Sequence, residues 1–95
     1  MMEPGRELDA KIAEKLGWSV IDGRWYPHYS TDDGTALGLA EEMLKRDEVW
    51  YVELSRGGDG FACYLKPKGY DWFGEHETLC GAIATACARA LGVEE

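Results

Sequence analysis

The residues able to do chemistry crowd into one short stretch, Trp25-Tyr26-Pro27-His28-Tyr29-Ser30-Thr31-Asp32-Asp33, which runs on into a helix-like segment. A metal site built from His28, Asp32 and Asp33 would need a second histidine or another ligand at helical spacing, and the sequence offers none. A nucleophilic arrangement can be assembled on paper from Ser30 or Cys63 with His28 or His76. No Gly-x-Ser-x-Gly turn presents a serine, however, and neither histidine has a partner that spacing identifies. The glycines of Gly57-Gly58-Asp59-Gly60 precede a strand-like segment and lack the Lys-Ser/Thr ending of a phosphate cradle. No catalytic residue, metal ligand or cofactor is assigned on these grounds.

The plainer reading gives each polar residue of the stretch a structural task. Ser30 has the form of a helix N-cap, its hydroxyl accepting an otherwise unpaired N–H of the first turn. Asp33, three residues on, is placed to reach back as a shortened capping box, and Asp32 and Asp33 both suit the positive end of the helix dipole. What remains for ligand chemistry is aromatic. Trp25, Tyr26, His28 and Tyr29 precede one helix, and Tyr70, Trp72 and Phe73 precede another. If neighbouring, the two loops would frame a cleft with stacking faces and anion-binding amides. The alternative is that these aromatics roof a small core or form a contact between two copies.

The elements that must position these residues follow from periodicity. Gly5 to Trp18 reads as a helix, with Leu8, Ile12 and Leu16 at i, i+4 and i+8. Trp18–Ile21 and Arg24–Tyr26 read as a β-ribbon turned by Asp22-Gly23. Ser30 to Asp47 reads as a second helix with Ala36, Leu37, Ala40, Met43 and Leu44 as its stripe. Gly38, inside that helix, suggests close packing against another element. Val49–Ser55 and Gly60–Lys66 form a hairpin whose faces are both largely apolar, so cover is expected on more than one side. Pro67 to Glu77 reads as an irregular aromatic loop. Thr78 to Gly92 reads as a third helix, capped by Thr78 or Glu77 and apolar nearly all round, hence deeply buried.

At 95 residues the chain suits one domain, and 45% hydrophobic residues are enough for a folded core. A net charge of −8 repels phosphate backbones and argues against nucleic-acid partners. No apolar run approaches the ~20 residues of a membrane span, and no signal-peptide stretch opens the sequence, so a cytoplasmic protein is expected. Cys63, Cys80 and Cys87 sit in apolar surroundings and are expected to be reduced. Cys80 and Cys87 would lie about 10 Å apart along one helix, beyond disulfide reach.

Taken together, Gly5-Arg6-Glu7-Leu8-Asp9, Gly17-Trp18, Tyr29-Ser30-Thr31-Asp32 and the tail Ala82-Ile83 to Ala86-Cys87-Ala88 resemble the phage ABA sandwich domain family, small proteins found mostly in phages and prophages of Gram-positive bacteria. The resemblance runs from Gly5 to Leu91. Asp33 stands where the family often has an apolar residue, and Leu79–Gly81 lacks a proline common there. The likeness implies a layered α/β/α fold, a phage or prophage accessory origin and no known catalytic residues. The expectation is thus a single α+β domain, ordered helix, β-ribbon, helix, β-hairpin, helix, with helices packed on a small antiparallel sheet. The favoured function is a non-enzymatic module binding a host or phage protein in the bacterial cytoplasm, and a homodimer with some of Trp25, Tyr70, Trp72 and Phe73 at its contact. The rival is a small-ligand, nucleotide-type binder using the aromatic loops, and an unmotifed small enzyme comes third.

Overall fold

The computed structural model describes residues 5–16, 27–45, 49, 51–66 and 72–93. Within them the chain forms α1 (Arg6–Lys15), α2 (Asp33–Leu44), β1 (Val52–Arg56), β2 (Phe61–Leu65), β3 (Trp72–His76) and α3 (Leu79–Ala90). The three strands make one antiparallel sheet in the order β1-β2-β3. Helices pack on this sheet, giving a small α+β domain. The expected ribbon at Trp18–Tyr26, and with it Trp25 and Tyr26, lies outside the described residues, as does Tyr70.

The third helix organises the molecule. Every residue from Cys80 to Ala88 is buried. Small side chains make this possible, because Gly81, Ala82, Ala84, Ala86 and Ala88 let neighbouring backbones come close on several sides at once. One side of α3 lies on β2 and β3, while α1 and α2 make their main contacts with α3. Leu8 and Ile12 of α1, Ala36, Leu39 and Met43 of α2, and Cys63 and Leu65 of β2 converge on Ile83, Ala86 and Cys87 in one core. All-round apolar composition foretold this burial.

The approach is tightest at Gly74. A Cβ there would overlap the Ala82 carbonyl oxygen and the Ala86 nitrogen, so the helix backbone rests directly on the strand. The Arg89 guanidinium adds a hydrogen bond to the Phe73 carbonyl at the far end of the same contact. Cys63 pairs with Gly74 in the register, so the face carrying Cys63, Leu65, Trp72 and Gly74 looks towards α3.

Three expectations change. The aromatic loop is a strand: Trp72 pairs with Leu65 and Phe73 with Tyr64. A five-residue strand holding a glycine has little local signal, and its pairing with β2 supplies what propensity does not. In α2 the buried face is Ala36, Leu39, Ala40 and Met43, while Leu37 and Leu44 are each 45% exposed. Leucines lie on both sides of this helix, and contact with α3 decides which turn inward. Gly38 is exposed and a Cβ there would meet nothing within 4 Å among the described residues, so it marks no close packing between them.

Candidate functional site

Ser30 is not the cap of α2. That role belongs to Asp32, whose Oδ2 accepts the Thr35 N–H at 2.8 Å and the Thr35 hydroxyl at 2.6 Å. The Thr35 hydroxyl and N–H hold the Asp32 carboxyl below its ordinary pKa. Asp33 does not reach back either. Its Oδ1 accepts the Cys80 N–H at 3.2 Å and so ties the start of α2 to the start of α3. Thr78 caps α3 as expected, its Oγ1 accepting the Gly81 N–H at 3.1 Å.

Ser30 instead belongs to a buried polar cluster. Asp9, on the inner side of α1, is fully buried, and Ser30 is 1% exposed. Asp9 Oδ1 accepts the Ser30 N–H at 2.8 Å and faces the Ser30 hydroxyl at 2.7 Å. The hydroxyl also accepts the Gly5 N–H at 2.7 Å and lies 3.1 Å from the Gly5 carbonyl. Arg6 completes the set with an ion pair to Asp9 Oδ2 at 3.0 Å. Gly5 itself adopts φ 154°, ψ −173°, a conformation essentially confined to glycine. The residues Gly5, Arg6, Asp9 and Ser30 are thus one device that fastens the first turn of α1 to the turn before α2. A serine beside a carboxylate invites a catalytic reading, but this pair is sealed from solvent and its hydrogen bonds are spent within the fold.

His28 and Tyr29 also serve the fold. The His28 carbonyl accepts the Asp32 N–H at 3.1 Å, closing the turn. Tyr29 is 6% exposed and lines one hollow with Leu16, Pro27 and Leu39. Burial, then the charges of Asp9 and Glu42, raise the pKa of its phenol.

The starts of α2 and α3 do lie side by side, around an open cleft lined by Asp32, Asp33, Phe61, Glu77, Thr78 and Cys80. None of His28, Tyr29, Trp72 or Phe73 lines it. The Thr35, Cys80 and Gly81 amides there already bond to Asp32, Asp33 and Thr78, and Glu77 adds further negative charge. Among the described residues no three His, Cys, Asp or Glu side chains gather as metal ligands would.

The thiols are withdrawn as well. Cys63, Cys80 and Cys87 are unpaired and buried. Burial pushes Cys63 up to about 12, Cys87 well above its ordinary value, and Cys80 upward. Because the thiolate is the nucleophile, all three are expected to resist a thiol reagent near neutral pH until the protein unfolds. Rapid native labelling of any of them would refute this.

The other face of the sheet carries the remaining strand side chains. Glu53, Ser55, Ala62, Tyr64, Phe73 and Glu75 alternate with the α3-facing residues and point away from the described helices. Tyr64 and Phe73 meet edge to face at 4.9 Å between ring centroids. Lys66 lies 5.5 Å from the centre of the Tyr51 ring and 5.8 Å from that of Tyr64, and it pairs with Glu53 at 3.1 Å. Tyr51 remains 46% exposed. Beside this cluster a depression of about 470 Å³ opens at the hairpin, with Ser55, Arg56, Tyr64, Glu75 and His76 among its lining residues. Tyr51, Tyr64 and Lys66 were not singled out by the sequence. Their positions on alternate residues of a hairpin were the available signal.

No family model, curated protein or solved structure matches the chain. No described helix is long and apolar enough to cross a membrane.

Proposed function

We propose that this chain is a non-enzymatic phage or prophage accessory module that works by binding protein, in the cytoplasm of the bacterial host. The observation that carries the reading is the aromatic outer face of the sheet, with Tyr51 and Tyr64 beside Lys66 and Phe73 against Tyr64. Aromatic residues are the ones interfaces favour, and a tyrosine surface gives contact area at small entropic cost. The sealed Asp9–Ser30 pair and the withdrawn thiols weigh against covalent chemistry among the described residues. The carboxylates at the paired helix starts weigh against the nucleotide-type alternative. The phage setting rests on the likeness to the ABA sandwich domain proteins. Self-association into a homodimer is part of the same reading. Phe73 belongs to the proposed surface, whereas Trp72 faces α3 and packs against the core.

The test is capture from a lysate of phage-infected cells, run with the native protein and with Tyr51→Lys. Tyr51 is exposed enough for the change to leave the fold intact, which circular dichroism checks. A protein retained by the native chain and lost with Tyr51→Lys supports the reading. Equal retention by both, or no retention together with a nucleotide-dependent thermal shift, overturns it.

A further inference from the structure

Among the described residues the first strand has one unpaired side. β1 is an edge of the sheet among the described residues. The Lys66 N–H donates to the Tyr51 carbonyl at 2.9 Å and the Gly57 N–H to the Gly60 carbonyl at 2.8 Å. Antiparallel hydrogen-bonded pairs recur at every second residue. Residues 51, 53, 55 and 57 therefore turn their amides to β2, and Val52, Leu54 and Arg56 turn theirs to the open edge. Such a row is a template for another strand. Leu54, at its centre, is 41% exposed.

We propose that a second copy of this chain pairs there, β1 against β1 about a two-fold axis through Leu54, making one sheet of six strands. This rests on the reading of the chain as self-associating and adds the edge and the register. Opposite residues in an antiparallel pair share a face, so the axis must pass through a residue and not between two. Centred on Leu54, all three outward residues map onto outward residues: Leu54 on its own copy, and Val52 on Arg56. That is three hydrogen-bonded pairs. Centring on Glu53 or Ser55 leaves two, and the former sets Glu53 against Glu53.

The side chains fit the same register. Leu54 meets Leu54 and leaves water. Glu53 faces Ser55. Tyr51, 46% exposed, faces Gly57 of the hairpin, whose lack of a side chain leaves room for the ring. No like charges are opposed. The strand holds one acid and one base, Glu53 and Arg56, so it brings no net charge to the contact in a chain of net charge −8. Pairing of this kind is isologous and closes at two copies, which also removes the exposed edge.

Light scattering of the native protein at high concentration is expected to give twice the 10.6 kDa of one chain. Leu54→Lys, which sets two ammonium groups face to face, is expected to halve that mass. Leu54→Cys supplies an arm that does not depend on losing the dimer. Hydrogen-bonded antiparallel pairs hold Cα atoms about 5.5 Å apart, within disulfide range. This variant is expected to cross-link under mild oxidation, while Leu37→Cys, just as exposed on α2, does not. A native monomer overturns both the edge pairing and the self-association. A dimer in which Leu54→Cys fails to cross-link, or cross-links no better than Leu37→Cys, overturns the edge pairing and leaves self-association standing.

Discussion

Gly74→Ala is expected to cost about 3 kcal/mol or more, a large share of the roughly 5–15 kcal/mol that holds a domain of this kind together. Most small-to-large changes in a core are relieved by rotating a neighbouring side chain. Here the added methyl meets the Ala82 carbonyl oxygen and the Ala86 nitrogen, which are backbone. The whole of α3 must lift from the sheet, and with it the packing of Ile83, Cys87 and the Cys63 side chain beneath them. A fall in melting temperature on the order of 15 °C is the expected reading. Gly38→Ala is the matched control. The same chemical change, made where a Cβ meets nothing, is expected to raise stability by about 1 kcal/mol through helix propensity alone. Equal effects at the two positions would mean that α3 does not lie against β3 as described.

The second large effect is expected at Asp9. Asp9→Ala removes the acceptor for the buried Ser30 N–H and hydroxyl and the partner of the part-exposed Arg6. An expected loss of about 3 kcal/mol follows from stranding buried donors. Ser30→Ala should lose about 2 kcal/mol, because it deprives the Gly5 N–H of its acceptor and Asp9 of one donor. The two changes act on one network, so the double variant should fall short of their sum. A Ser30→Ala loss within about 0.5 kcal/mol, the range of ordinary surface changes, would refute the buried role. Urea titrations of the three variants decide it.

The contrast between Ser30 and Asp32 shows where sequence reading stops. Both residues are good N-caps, and they stand two apart in Ser30-Thr31-Asp32-Asp33. Local chemistry cannot choose between them. The choice is made by Asp9, twenty-one residues earlier, which draws Ser30 inward and leaves Asp32 at the helix start. The same logic covers β3 and the orientation of α2. The Trp72–His76 segment becomes a strand because β2 is there to pair with it, and Leu39 turns inward because α3 lies on that side. By contrast, α1, the hairpin, the Thr78 cap and the burial of α3 were legible, since each follows from a pattern within its own segment. The aromatic outer face was half legible. Phe73 was marked, but its neighbours Tyr51 and Tyr64 come into view only once the register aligns them.

The central place of α3 also sets an order of events during synthesis. In the described fold α1, α2 and all three strands precede it in the chain, yet α1, α2 and β3 have their principal packing partner in α3, and β2 rests on it as well. As the nascent chain leaves the ribosome, α1 and α2 emerge with apolar stripes and nothing to lay them on, and the hairpin emerges with Cys63 and Leu65 uncovered. The strands can pair one by one as they emerge, but the helices cannot be seated in that order. The common core closes only once residues 79–90 are free of the exit tunnel.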